Sequence, residues 1–299
     1  MNKPMSYSPL RYPGGKSALS DFLADTLCLN DLNGGSYYEP FAGGAAVGMM
    51  LLVEGLVERI FINDLDFCVY CFWRSVLEDN NRFIESISNI ALDVEEWNHQ
   101  KNIYSNPKQH SRFEVGFASF YLNRCNRSGI MKNAGPIGGH LQNGKWKIGA
   151  RFNRSTLVER VKLINKYKSK IKVTCLDGIE FLSRNLPLGN ERKKVLVYLD
   201  PPYFSNGPKL YMNSYNIKDH TALSKYILHQ KTLRWIMTYD NEPAIRSLYA
   251  QSVINQYSLN YSAQNKKQGQ ELLITPGYLK LPSSLKIHNR RHSLNTTDC

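Results

Sequence analysis

Val195-Leu-Val-Tyr-Leu-Asp200-Pro-Pro-Tyr203-Phe204 is the stretch on which the reading of the chain turns. Five apolar residues in a row, rich in Val and Leu, read as a parallel strand covered on both faces. An acid, two prolines and two aromatics follow at once. Each proline fixes its own φ and has no amide hydrogen, so the turn is stiff and its carbonyls are not drawn into a continuing helix. A carboxylate, a prolyl carbonyl and an aromatic face thus meet at a strand's carboxyl end, where open α/β sheets bind ligands. Such a set suits a flat ring with an exocyclic amino group. An ordinary strand end closed by a proline turn has the same local sequence.

Working outward, a βαβ pattern lies upstream. Tyr37-Tyr38-Glu39-Pro40-Phe41-Ala42-Gly43-Gly44-Ala45-Ala46 leads from a strand into an apolar helix through Met49, Met50, Leu52 and Val53. Small residues at that turn let a nucleotide-like ligand lie against the helix start, or let the helix pack closely. Arg59-Ile-Phe-Ile-Asn63-Asp64 then ends a second strand in an acid about 20 residues on, the place where doubly wound sheets hold ribose hydroxyls. A third strand, Ile171-Lys-Val-Thr-Cys-Leu-Asp177, also ends in an acid, which either binds an exocyclic amine or caps the next helix. Before all of these, Leu10-Arg-Tyr12-Pro13-Gly14-Gly15-Lys16-Ser17 resembles half of a phosphate loop. Leu10 stands where a full P-loop needs glycine, so nucleotide triphosphate hydrolysis is not expected.

The net charge of +13 is unevenly placed. Residues 99–172 hold sixteen Lys and Arg against Glu114 and Glu159, while the remainder has 22 basic and 23 acidic residues. An excess confined to one segment marks a polyanion partner, with nucleic acid favoured. Within that segment strand and helix cease to alternate. A helix bearing Phe113, Phe117, Phe120 and Tyr121 leads to a glycine-rich run in which Arg124, Arg127, Lys132, Asn133 and His140 are spaced to reach a groove. A hairpin arm carrying Lys145 is expected over 145–149. A basic helix with Leu157, Val161 and Ile164 on one face returns the chain to the sheet.

Beyond Phe204, Ser205, Asn206, Gly207, Asn213 and Ser214 with Tyr211 and Tyr215 read as a loop over a site. A helix over 220–233, a strand over 234–239 and an antiparallel hairpin joining 256–262 to 271–275 follow. The segment 283–299 reads as a flexible basic tail.

These motifs in this order resemble the Dam-type, alpha-class family of DNA adenine amino-methyltransferases. Tyr12-Pro-Gly-Gly-Lys16, Glu39-Pro-Phe-Ala-Gly-Gly44, Asn63-Asp64, a basic insertion, Asp200-Pro-Pro-Tyr203, Asp219-His220 and Glu271-Leu-Leu-Ile carry the likeness. It implies an α/β fold with a Rossmann-like methyltransferase sheet, mostly parallel with a terminal antiparallel hairpin. A mainly helical target-recognition domain with a hairpin would be inserted at 79–155, between the halves 1–78 and 156–282 of a cofactor-binding domain. The implied cofactor is S-adenosylmethionine, held by Tyr12, Lys16, Glu39, Pro40, Phe41, Gly43, Gly44, Asp64 and Asp177. Asp200, Pro201, Pro202 and Tyr203 would act on a flipped adenine of double-stranded DNA. Ala45-Ala46 departs from the family, which often has a further glycine there.

The alternatives are methylation of the cytosine N4 amino group and a catalytically silent DNA-binding module. The start of the chain lacks the apolar segment of a secretory signal and no apolar run approaches a membrane span, so a cytoplasmic, prokaryotic or phage-type protein is expected. A monomer is expected, with a restriction endonuclease as a candidate partner. Of six cysteines only Cys68 and Cys71 share a CxxC spacing, without a second pair, so no metal site is expected.

Overall fold

The computed structural model describes residues 7–11, 19–131, 134–205, 215–260 and 268–283. Seven strands among them form one sheet: β1 (Gly35–Glu39), β2 (Val57–Asn63), β3 (Ile171–Thr174), β4 (Val195–Leu199), β5 (Arg234–Asp240), β6 (Val253–Asn260) and β7 (Gln268–Thr275). Their order is β3-β2-β1-β4-β5-β7-β6. The pairings from β3 across to β5 are parallel, while β7 runs antiparallel between β5 and β6. The expected mostly parallel sheet with a terminal antiparallel hairpin is therefore the one present.

Alternation along the strands divides the core in two. Tyr37, Leu196, Tyr198, Ile236 and Leu273 point to one face, and Tyr38, Val195, Val197, Leu199, Met237, Leu272 and Ile274 to the other. Because both sets are buried, β4 reads as an unbroken apolar run. The first face is covered by α1 (Ser20–Leu29), α2 (Ala46–Val53) and α3 (Phe67–Glu78). On that side α4 (Asn80–Asn89), α5 (Val94–Ser105), α6 (Arg112–Cys125) and α7 (Arg154–Lys166) extend the same apolar cluster. The second face is covered by α8 (Gly178–Asn185), α9 (Ile217–Leu228) and α10 (Pro243–Leu248).

Helix α6 shows why residues 79–155 fold as they do. Ser111 and Glu114 form a reciprocal capping box at its start, and the Phe113, Phe117 and Phe120 rings stack and cross with Phe83 and Phe72. In α7, Leu157, Val161 and Ile164 are the buried face, as their spacing predicts.

Two expectations are corrected. No hairpin arm exists at 145–149: the chain bends there and Ile148–Arg151 forms a 3-10 turn. Over 79–155 the β pairing among the described residues is one bridge, Asn126 to Pro136. The reason is Gln142. Its amide donates to the Ile137 and Gly139 carbonyls and its Oε1 accepts from the Ile148 N–H, groups a β ladder would need. Positive φ at Gly138, Gly139 and Gln142 coils the backbone around it. The helix expected over 220–233 instead spans Ile217–Leu228, because Asn216 and Asp219 form a capping box that sets its start. Asp219, which the family likeness singles out without a role, has its place there.

Candidate active site

The strand order reverses between β1 and β4, which are direct neighbours, and the crevice at such a switch point lies outside the strands' carboxyl ends. Glu39 ends β1, Asp64 follows β2, Asp177 follows β3 and Asp200 follows β4. Four acids thus stand along four adjacent strand ends.

Glu39 is buried, and its Oε2 has no hydrogen-bond partner. Burial, with Asp200 and Asp64 adding, pushes its carboxyl well above the usual range despite an amide bond from Gly48. At Gly48 an added Cβ would lie 3.2 Å from Glu39 Oε2, so the helix starts against the carboxylate. Asp64 Oδ2 accepts the Gly43 N–H at 2.8 Å and Oδ1 the Asp66 N–H at 2.9 Å. Burial and the Asp66 charge, against those two amide bonds, push Asp64 up to about 7.

The glycine turn is tightly wound. Gly43 and Ala45 both have left-handed φ, 46° and 44°, and the Gly43 carbonyl accepts the Trp73 indole N–H at 2.9 Å. The left-handed conformation of Ala45 is unusual for a residue with a Cβ. Pro40 and Gly44 are buried. Beneath the turn, buried Asn63 donates to the Pro40 and Leu176 carbonyls and accepts from the Thr174 hydroxyl and the Leu176 N–H. One amide therefore ties together the ends of β1, β2 and β3.

Asp177 does cap α8: its Oδ1 accepts the Ile179 N–H at 2.8 Å. Its Oδ2 accepts the Tyr215 hydroxyl at 3.3 Å. Tyr215 also meets Phe41 edge-on at 5.7 Å and His220 at 5.5 Å, and His220 meets Phe204 at 5.3 Å. This chain of rings runs from the glycine turn to the Asp-Pro-Pro-Tyr turn. His220 Nδ1 pairs with the Tyr239 hydroxyl, and burial lowers its pKa against the opposing charges of Asp240 and Asp219.

Strand β5 holds the Asp-Pro-Pro-Tyr turn. Thr238 donates to Asp200 Oδ1 at 2.8 Å and pairs with the Tyr198 hydroxyl at 3.0 Å. Asp240 accepts the Phe204 and Ser205 N–H groups at 2.9 and 2.8 Å. Pro201 is buried, Pro202 and Tyr203 are partly exposed, and the Tyr203 hydroxyl donates to Glu271. Reading the sequence missed Thr238, Asp240 and Glu271 as supports. Asp240 carried a signal, since it too is an acid at a strand's carboxyl end.

The other expected residues divide. Tyr12, Lys16, Lys132 and Asn133 lie outside the described residues, as do residues 206–214 and the tail from 284. Arg127, His140 and Lys145 are exposed, with His140 edge-on to Trp97 and Lys145 beside exposed Trp146. Arg124 is placed differently, buried at the end of α6. Its Nε and Nη2, Arg11 Nη1 and Arg160 Nε are all buried without a partner. Burial, then Arg160 and Arg11, lower Arg124 to about 9. Asn123 holds this group together by bonding both the N–H and the carbonyl of Arg11. Among the described residues no cluster of His, Cys, Asp and Glu fits a metal ion, and no helix is long and apolar enough to cross a membrane.

A sheet of this order, with β7 inserted antiparallel, a glycine turn after β1 and an Asp-Pro-Pro-Tyr turn after β4, defines a methyltransferase of the Rossmann-like class. Residues 12–266 match the family model of the D12 class N6 adenine-specific DNA methyltransferases, and the chain belongs to that family. It is an adenine-specific DNA methyltransferase. It is 24% identical over 212 residues to the Type II methyltransferase M.MjaIII of Methanocaldococcus jannaschii, covering 65% of this chain and 68% of that protein. A crystal structure of the Pyrococcus horikoshii protein PH1948, assigned there to the RNA methyltransferases, aligns with a TM-score of 0.40 and 11% identity over 92% of this chain and 90% of that one.

Proposed function

We propose that this enzyme transfers a methyl group from S-adenosylmethionine to the N6 amino group of an adenine flipped out of a specific duplex DNA site. The observation that carries the reading is the Asp200-Pro-Pro-Tyr203 turn, pinned by Thr238 and Asp240 beside the Glu39 and Asp64 carboxylates.

The crevice suits the donor. A ligand that is cationic and rich in hydroxyl and amino donors finds buried Glu39, with an unpartnered oxygen, then Asp64 and Asp177 along β1, β2 and β3. Phe41 and the backbone of Gly43 and Gly44 complete the wall. Bound there, S-adenosylmethionine supplies a methyl group on an electrophilic sulfonium.

The chain's own residues then prepare the acceptor. The N6 lone pair of adenine is delocalised into the ring and buried in the duplex, so the base must leave the stack. Tyr203 stacks on the extruded ring. Asp200, oriented by Thr238, and the Pro201 carbonyl accept the two N6 hydrogens, which turns the lone pair out of conjugation. The methyl group's S–C bond would break as its N–C bond forms, leaving the donor as a neutral thioether, and one of those N6 hydrogens would leave as a proton along its bond to Asp200. Holding both reactants in line supplies up to about 7–11 kcal/mol of barrier reduction in favourable cases.

Duplex DNA is received by the basic insertion, residues 79–155. Arg127, His140 and Lys145 face outward. Arg11 Nη1, Arg124 Nε and Nη2, and Arg160 Nε are buried without a protein acceptor, and a backbone phosphate would supply the missing one.

The test is incubation of duplex DNA with methyl-labelled S-adenosylmethionine, digestion and identification of the labelled nucleoside, expected to be N6-methyladenosine in its deoxy form. Asp200→Ala is expected to bind cofactor and DNA and transfer nothing. Near-normal turnover of that variant removes the assignment.

A further inference from the structure

We propose that Glu271 is a positioning residue for methyl transfer, fixing the Tyr203 ring against which the target base stacks. This role rests on the reading of Asp200-Pro-Pro-Tyr203 as the base-holding turn.

Glu271 occupies β7 in a run that is otherwise apolar, Leu272, Leu273 and Ile274, and is only 2% exposed. Burying a carboxylate there is costly unless specific donors meet it. Its two oxygens take two tyrosine hydroxyls: Oε1 accepts from Tyr203 and Oε2 from Tyr257, the latter at 2.5 Å.

The sheet register explains how it reaches them. Glu271 is the direct cross-strand neighbour of Asp240 on β5 and of Tyr257 on β6. Paired residues in an antiparallel ladder share a face, so Asp240, Glu271 and Tyr257 form one row across the end of the sheet. Two acids directly opposite each other repel, an arrangement a sheet does not adopt for its own stability. Here both acids engage one turn. Asp240 takes the Phe204 and Ser205 amides and Glu271 takes the Tyr203 hydroxyl, while Thr238 in the same strand takes Asp200.

The consequence concerns the ring. A tyrosine held only at its Cα swings about χ1 and flips about χ2. One whose hydroxyl is also bound to a rigid strand has both ends fixed, and the in-plane preference of the phenolic bond sets the tilt of its face. Tyr257 fixes the second carboxylate oxygen and so keeps Glu271 from following the ring. The flipped base would then meet a stacking face already aligned with the Asp200 and Pro201 acceptors. Small errors in such alignment reduce rate far more than affinity.

A double-mutant cycle on the full-length enzyme tests this, with Tyr203→Phe, Glu271→Gln and the double variant compared under saturating duplex DNA and S-adenosylmethionine. Glu271→Gln is expected to lower kcat roughly 10- to 100-fold with KM for DNA and cofactor changed little. Tyr203→Phe keeps the stacking ring and removes only the hydroxyl, so it should fall by a similar factor. The double variant should be no slower than either single one, because both remove the same hydrogen bond. Losses that multiply, or a Glu271→Gln enzyme with wild-type kcat, overturn the proposal. Should Glu271→Gln fail to fold, Tyr203→Phe alone must still lose kcat at unchanged DNA affinity, and wild-type turnover there overturns it equally. Asp200→Ala separates the two layers. If that variant is active, the base-holding reading fails, whereas an inactive Asp200→Ala with a multiplicative cycle defeats only the role of Glu271.

Discussion

At the scale of single residues, the acids of the crevice differ in how readily they ionise, and this fixes a pH dependence. Asp64 titrates near 7 in the folded chain against an ordinary aspartate value of 3.8. The folded chain holds that proton between the two values, so the group's contribution to stability is full below 3.8 and is lost as pH rises through about 7. Ribose hydroxyls are best accepted by the ionised carboxylate. Affinity for S-adenosylmethionine should therefore fall below about pH 7, by up to about tenfold per unit, and titration calorimetry measures it. Asp64→Asn should bind more weakly above pH 7 and lose that slope, and an unchanged slope would assign the proton elsewhere. Thr238 gives a second test. Thr238→Val keeps the shape and removes the bond to Asp200, and should lower kcat about tenfold, near 1.4 kcal/mol, with cofactor affinity unaltered. Wild-type kcat would mean that Asp200 is oriented without it. Glu39, Asp64 and Asp200 were legible in the chain because each follows an apolar strand run. Asp240 carried the same signal, but the supporting roles of Thr238 and Glu271 did not show, because an acid or hydroxyl within a strand acquires its meaning only from the neighbour that the register sets beside it.

At the scale of elements, α3 is the link between α6 and the glycine turn. On one side Trp73 donates to the Gly43 carbonyl. On the other α3 crosses α6 at Gly116, where an added Cβ would lie 2.5 Å from the Cys71 carbonyl oxygen and 2.7 Å from Ser75 Oγ. The nearest of these atoms is backbone, so Gly116→Ala must push the helices apart. Overpacking of this kind costs about 1–3 kcal/mol. A lower Tm is expected by calorimetry, together with weaker cofactor binding, because Trp73 moves with α3. A variant with unchanged Tm would show that the crossing has slack. Elements were the most readable layer: β4, the βαβ unit and the faces of α6 and α7 all follow from apolar spacing. The loop over 137–147 imitates a hairpin in sequence for a definite reason. Lys-Trp-Lys-Ile alternates as a strand does, and only the fold reveals that the Gln142 side chain has taken the backbone groups a partner strand would use.

At the scale of the whole molecule, charge and fold divide the chain differently. The excess of basic residues is confined to residues 99–172, yet α4 to α7 share one apolar cluster with the helices covering the sheet. A basic segment packed into the cluster that covers the sheet predicts that DNA is met by that segment and touches the 137–147 loop. The chain contains its own reporter there. Trp73, Trp97 and Trp235 are at most 5% exposed, whereas Trp146 is 65% exposed and stands next to Lys145. Acrylamide quenching of tryptophan emission in the free enzyme should thus come from Trp146, and duplex DNA should suppress it. Trp146→Phe should abolish the quenchable fraction while leaving the buried three unchanged. In the same titrations, neutralising both Arg127 and Lys145 should lower the slope of log affinity against log salt by about 0.9 for each phosphate that is no longer neutralised. Full quenching that persists in the DNA complex, with an unaltered salt slope, would place the duplex on a different face. Suppressed quenching with an unaltered slope would keep the loop at the interface and move the phosphate contacts to Arg11, Arg124 and Arg160, whose buried nitrogens are then the anion-binding centre.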